Sequence, residues 1–212
     1  MPIWGLAVTA FGVAWVGLWR SSLRLAGVPI LVLGLISPWL IRPADVLVSA
    51  DARLIGVRVG DTVYLQTVAG ASKFTRDAWL QYWATDNAEP IPEGRGRVDG
   101  AVTCQTQECL LWPEPHAKPV MLVRGALHPD GCGEASAMIS AEPARGLCQR
   151  PWPALVDRFT VWRYGAAAIW LDGTRAHILT DRTYRGARPW VPPPPTSRER
   201  MARPVLPPAA SE

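Results

Sequence analysis

The sequence predicts an α+β protein. An N-terminal transmembrane helical hairpin comes first, then a small mixed α/β domain, then a disordered proline-rich tail. Three observations predict this. Two uncharged apolar runs open the chain, Ile3–Trp19 and Leu25–Ile41. From Ala44 the apolar residues fall into short β-branched segments broken by turn residues. After Trp190 comes VPPPPTSRERMARPVLPPAASE, and consecutive prolines join neither helix nor sheet. The expected boundaries are 1–42 for the hairpin, with helices at about 3–19 and 25–41, then 43–190 for the soluble domain and 191–212 for the tail.

Each apolar run has 17 residues, at the short end of what spans a hydrocarbon core of about 30 Å. RSSLR, Arg20–Arg24, reads as a tight turn between them. Trp4, Trp19 and Trp39 lie near the run ends, where aromatic side chains favour the lipid–water interface. The lipid bilayer is therefore the first expected partner. A buried soluble hairpin fits poorly with charge-free runs flanked by Arg and Trp. A signal peptide fits poorly too, because there is no basic n-region and a second apolar run follows at once. Pro29 and Pro38 are tolerable in lipid, where neighbours satisfy the freed carbonyls. Positive-inside counting does not orient the hairpin: Arg20 and Arg24 stand in the turn, and Arg42, Arg53 and Arg58 follow the second run.

The formal net charge is +4. Residues 42–191 carry 17 basic and 16 acidic side chains, a net of +1. The soluble part therefore has no overall electrostatic footprint for phosphate, and only a local patch stays open.

DVLVSADARLIGVRVGDTVYLQTV predicts three strands, near Val46–Ser49, Leu54–Val59 and Thr62–Thr67, joined as a meander. In SKFTRDAWLQYWATD, Phe74, Ala78, Trp79, Tyr82 and Trp83 recur at three- and four-residue spacing. That predicts an amphipathic helix with an aromatic core stripe, capped by Ser72 or Thr75. NAEPIPEGRGRVDG reads as an exposed loop, and its GRGR is no phosphate loop, since no helix pattern follows. VTCQTQECLLW predicts a hairpin with QTQE as a four-residue connection. Lys118–Gly125 and Glu134–Ser140 are further strand candidates. In PALVDRFTVWRYGAAAIWLDGTRAHIL, Ala154–Val156 reads as a strand and Asp157 as the N-cap of a helix over Arg158–Tyr164. Gly165 is expected in the left-handed C′ position that ends this helix. Ala166–Leu171 is then a strand, Asp172-Gly173 a two-residue turn, and Thr174–Thr180 the return.

Catalytic, cofactor and metal residues are expected to be none. His116, His128 and His177 lie far apart, and no HxHxDH, HExxH, GxSxG, P-loop or dinucleotide motif is present. The cysteines are Cys104, Cys109, Cys132 and Cys148. Two disulfides, four reduced thiols and a metal site all remain open from spacing. The even count favours disulfides if the domain is extracytoplasmic. Spacing suggests Cys104–Cys109 and Cys132–Cys148, but four cysteines allow three connectivities and the sequence does not choose.

DVLVSADARLIGVR, FTRDAWLQYWATD, the C-x4-C pair, DGC, PALVDRFTVWRYGAAAIWLDG and RPWVP, in that order, resemble the C-terminal segment of ComEC-type DNA-internalisation competence proteins in their alphaproteobacterial form. The resemblance runs from about Met1 to Pro192. It implies a polytopic inner-membrane channel that passes single-stranded DNA. It also implies a periplasmic domain that looks like a shortened metallo-β-lactamase-like domain without the metal-ligand histidines. Its closing unit would be the strand–helix–strand at Ala154–Leu171. An oxidising compartment follows for the cysteines. A lone hairpin cannot enclose a polar polymer in lipid. The chain is therefore expected to be the last part of a larger bundle: a split product, a truncated copy, or one with a misplaced start. The implied partners are the rest of that channel and, only through it, single-stranded DNA. The alternative is a free-standing membrane-anchored extracytoplasmic interaction domain.

Overall fold

The structure, a computed structural model, describes residues 2–98, 101–113, 118–125, 135–144, 154–173, 175–186 and 188–191. The chain divides into two compact units, one over Met1–Pro43 and one that begins at Ala44. The expected proline-rich tail lies, from residue 192 onward, outside the described residues.

The first unit is a pair of apolar helices, α1 (Ile3–Leu18) and α2 (Gly27–Ile36). The turn between them is shorter than RSSLR. Ser22–Ala26 is already a 3-10 helix running into α2, and Ser37–Leu40 is another running out of it. The apolar flanks of Arg24 extend the helical ladder backwards, so that only Trp19–Ser21 stays open. Ser22–Leu40 is thus one helical stretch of 19 residues, long and apolar enough to cross a membrane by length and composition. α1, at 16 residues, is apolar and shorter. Pro38 stands where α2 gives way to the second 3-10 helix, in the first positions of that helix.

Four glycines set the distance between these helices. Gly5 and Gly12 on α1, and Gly27 and Gly34 on α2, are the buried residues of the two helices. A Cβ on Gly12 would lie 2.8 Å from Leu31 N, and one on Gly34 would lie 2.7 Å from Thr9 N. One on Gly27 would meet Val16 Cγ2 at 2.8 Å, and one on Gly5 would meet Ser37. Backbone therefore lies on backbone along an antiparallel seam, a close approach that small residues permit. Thr9, on the seam, donates its hydroxyl to Gly5 O at 2.8 Å. Trp15 Nε1 donates to Leu23 O at 3.1 Å and ties α1 to the 3-10 helix that leads into α2.

The second unit holds two six-stranded mixed sheets. Its strands are β1 (Val46–Val48), β2 (Leu54–Val59), β3 (Thr62–Thr67), β4 (Ala88–Pro90), β5 (Gly96–Val98) and β6 (Val102–Cys104). They continue as β7 (Glu108–Leu111), β8 (Val120–Val123), β9 (Ala137–Ser140), β10 (Ala154–Val156), β11 (Ala167–Asp172) and β12 (Arg175–Thr180). One sheet runs β12-β11-β1-β2-β3-β4, the other β10-β9-β8-β7-β6-β5. The predicted meander is β1–β3, antiparallel, and it turns at Gly60-Asp61 with Gly60 at φ +59°.

Alternation along each strand builds one core between the sheets. Val46, Val48, Ile55, Val57, Tyr64 and Ile169 from the first sheet pack with Cys109, Leu111, Val120, Leu122, Ile139 and Val156 from the second. The intervening residues face outward, and the outer face of the second sheet carries Met121, Val123 and Met138 in a smaller cluster. On the outer face of the first sheet, α3 (Lys73–Trp83) packs Trp83 against Val63 and Leu65. Gly56 makes the seat: a Cβ there would lie 2.8 Å from the Trp83 ring. Ser72 caps α3 by accepting the Thr75 N–H. The aromatic stripe is only partly core. Trp83 is 7% exposed and packs with Trp79 and Leu80 at the C-terminal end of α3, whereas Phe74, in the first turn, is 82% exposed and outside that cluster.

Two other expectations change. NAEPIPEGRGRVDG is not simply loop: β4 lies parallel to β3, and β5 pairs antiparallel with β6. Both are three-residue edge strands, where Pro90 and Gly96 are tolerated. The strand–helix–strand at Ala154–Leu171 is not a unit within one sheet. β10 pairs parallel with β9 in the second sheet and β11 pairs with β1 in the first. The helix between them, α4 (Arg158–Tyr164), carries the chain from one sheet to the other. A short helix, α5 (Asp181–Arg185), follows β12 and is capped by Thr180.

Candidate functional site

The cysteine hairpin closes as a disulfide. β6 and β7 pair Cys104 with Cys109, and the two sulfurs are bonded. Gln105 N–H donates to Glu108 O at 2.7 Å, so the connection is tighter than QTQE: only Thr106 and Gln107 lie beyond this last pair. The cysteines form the adjacent non-hydrogen-bonded pair, with Cα atoms 4.0 Å apart, the position at which strands approach most closely. Both are buried on the inner face. Cys132 and Cys148, and with them the second disulfide, lie outside the described residues, as do His116 and His128. A bridge between residues five apart removes about 2 kcal/mol of unfolded-chain entropy. Cys104→Ser with Cys109→Ser is therefore expected to lower stability by about 2 kcal/mol. Chemical denaturation of the oxidised parent against the double variant checks this, and equal midpoints would refute it.

Asp157 is the N-cap of α4 and is fully buried. Its Oδ1 accepts from Thr160 N at 2.8 Å and from Thr160 Oγ1 at 2.7 Å, and its Oδ2 accepts from Ala144 N at 3.3 Å. Sequence reasoning singled out the cap but not the cross-link to Ala144. Gly165 ends α4 with φ +80° and ψ −163°, which is not the left-handed helical geometry expected. Directly after it, Ala166 O accepts the Asp181 N–H at 2.8 Å. Asp172 is the last residue of β11 and pairs with Arg175, so the turn falls one residue later than expected, on 173–174. Gly173 takes φ +57°, and residue 174 lies outside the described residues.

One buried carboxylate carried no sequence signal. Asp45, 2% exposed, accepts the Leu171 N–H at 2.8 Å and has Arg58 at 3.9 Å. It ties the start of β1 to the end of β11.

Clefts among the described residues of this unit include the following two. The first, about 540 Å³, is lined by residues including Gln66, Ile91, Glu93, Thr106 and Arg124. Arg124 spans it. Its Nε donates to Gln66 Oε1 at 3.0 Å, and its terminal nitrogens donate to Pro92 O at 2.5 Å and Ile91 O at 3.3 Å. Arg124 N–H donates to Gln107 O, so this one residue joins the disulfide hairpin to β3 and to the segment after β4. Burial pulls its guanidinium below the ordinary value and Glu93 opposes the fall. It stays charged, as arginines do. The second cleft, about 440 Å³, is lined by residues including Asp51, Arg53, Glu142, Arg158 and Trp162. Burial disfavours the Asp51 carboxylate. The Ser49 hydroxyl, the backbone N–H groups of Arg53 and Asp51 and the Arg53 charge outweigh it, and the pKa falls below the usual range. The turn that holds Asp51 places Ala52 at φ +57°. Both clefts mix charges, and Arg124 in the first and Asp51 in the second hold turns and sheets together.

His177 lies on β12, with its ring 6.0 Å from that of Trp170. Among the described residues, no group of three or more His, Cys, Asp or Glu side chains stands close enough to hold a metal ion. Compared with known proteins, the chain matches no family model, no curated protein and no solved structure.

Proposed function

We propose that the chain is a membrane-anchored part of a channel for DNA uptake across the bacterial inner membrane, structural rather than catalytic, with its soluble domain in the periplasm. One observation supports the anchor above all. Glycines face the seam of the helix pair, while Leu6, Phe11, Val13, Leu33 and Leu35 stand exposed on its outside. A helix pair apolar all round needs lipid or other apolar helices about it. α1 rises about 24 Å at 1.5 Å per residue, and the adjoining Trp19 suits the interface beyond its end. The Cys104–Cys109 bridge favours an oxidising compartment. DNA uptake itself rests on the ordered resemblance, and so does the expectation that further channel helices surround the hairpin.

The topology proposed puts both termini in the periplasm and Arg20 and Arg24 in the cytoplasm. Alkaline phosphatase fused after Pro192 is expected to be active and green fluorescent protein at the same point dark; the reverse would overturn it. Deleting the gene in a naturally transformable host is expected to abolish transformation. Undiminished transformation would instead favour the free-standing interaction domain.

A further inference from the structure

The chain beyond Val191 contains PVLP, Pro204–Pro207, a PxxP spacing with Arg203 directly before it. Such a stretch favours the polyproline helix, loses little freedom on docking, and is received by grooves lined with aromatic side chains. The second cleft has the makings of such a groove. Its lining includes the half-buried Trp162 and the buried Val161 and Ala52. Asp51 and Glu142, both exposed, add two carboxylates. Glu142 N–H donates to Ser140 Oγ at 3.1 Å, which fixes the backbone there and leaves the carboxylate to solvent. Arg53 also lines the cleft, but its Nη1 lies over Gly70, where a Cβ would stand 2.5 Å from it. The described residues that line the first cleft include no aromatic side chain, and Arg124 spans it.

We infer that the second cleft binds a proline-rich segment and that its occupant is the chain's own Arg203–Pro208. A polyproline helix has three residues per turn, so Pro204 and Pro207 share one face and can meet the indole and the apolar floor together. Arg203 is the cation for Asp51 and Glu142. Arg158 gives the cleft its other sign, and Glu199 precedes Arg203 in SRERMARPVLPP. The reach is sufficient. Trp162 lies on α4, and Gly165, just past that helix, lies against Asp181 at the start of α5: a Cβ on it would stand 2.9 Å from Asp181 Cβ. The two helices together rise about 18 Å. Val191 follows α5 by six residues, and its N–H donates to Arg188 O, which folds that stretch back. Pro204 is 13 residues further on, a reach of about 40 Å as a polyproline helix. Tethered so, the segment meets the cleft at an effective concentration on the order of millimolar. The docked tail closes the cleft to other proline-rich segments. The inference goes beyond the channel reading and does not depend on it.

The test uses the full chain in zwitterionic nanodiscs and a fluorescein-labelled peptide of residues Ser197–Ala209, read by anisotropy. In the parent chain the tail competes with the peptide. The Pro204→Ala, Pro207→Ala chain, whose own tail is released, should bind the peptide about 10-fold more tightly than the parent. In that released chain Trp162→Leu should weaken binding at least about 10-fold, as for an aromatic anchor. Glu142→Arg should weaken it about 5-fold, and a peptide carrying Arg203→Glu should restore it. Glu142 is exposed, so this charge exchange reads the contact without disturbing the core. An intact Cys104–Cys109 bridge with unchanged circular dichroism identifies each variant as folded. No binding by the released chain would overturn the site. Equal binding by parent and released chains would overturn the tail as its occupant. A folded Trp162→Leu chain that binds as before, or a charge exchange that restores nothing, would place the peptide elsewhere and overturn the proposal.

Discussion

Gly12→Ala is expected to destabilise the helix pair, although alanine is the better helix former. The added Cβ would lie 2.8 Å from Leu31 N and 2.9 Å from Leu31 Cα. Both are backbone atoms, so no side-chain rotation relieves the clash and the helices must separate. Overpacking of this kind costs about 1–3 kcal/mol, against a propensity gain of up to about 1 kcal/mol. Gly12→Leu should cost more and abolish the seam. Gly17, on the same helix, is the control: nothing lies within 4 Å of a Cβ built there. Gly17→Ala should be neutral or stabilising by propensity alone. Thermal denaturation in detergent, with protein levels in cells, compares the two. If Gly12→Leu behaves like Gly17→Leu, the seam does not hold the hairpin.

The seam was legible in part. Gly5 and Gly12, like Gly27 and Gly34, are seven apart in the sequence. Scanning the runs for hydropathy treats glycine as neutral filler and passes over that spacing. The meander was legible because β2 and β3 flank a Gly-Asp turn and are long enough to show β-branched runs. β4 and β5 were not, because three residues show no period and their pairing partners lie in other segments. The division of β10 and β11 between two sheets was also hidden. A strand–helix–strand pattern records order along the chain, not which sheet each strand joins. Asp157 announced itself by its place before a helix, whereas Asp45 and Arg124 act through carbonyls and amides far away in sequence. The excess of arginine over 158–190 was averaged away, since acids elsewhere in the domain cancel its charge.

Trp83→Ala is expected to cost the soluble unit about 3–5 kcal/mol, as for a buried aromatic truncated in a core. The ring fills the seat above Gly56, between Leu65 and the edge of Trp79, whose centroid is 6.1 Å away. It also holds the first residue of the unit. Trp83 Nε1 donates to Ala44 O at 2.7 Å, and the neighbouring Tyr82 hydroxyl accepts the Ala44 N–H at 2.9 Å. Both polar groups of one peptide residue are thus taken by adjacent side chains of α3, 38 and 39 positions on. Conservative variants separate packing from this clamp. Trp83→Phe retains most of the apolar contact but leaves Ala44 O buried without a donor, at about 1–3 kcal/mol. Tyr82→Phe removes the acceptor of the Ala44 N–H and leaves that buried donor unpaired, at a similar cost. Denaturant unfolding gives the totals, and hydrogen exchange of the Asp45–Val48 amides reports the clamp itself, since fraying from Ala44 would speed it before global unfolding. A Trp83→Phe protein as stable as the parent, with unchanged exchange in β1, would show that the indole contributes bulk and no anchoring hydrogen bond.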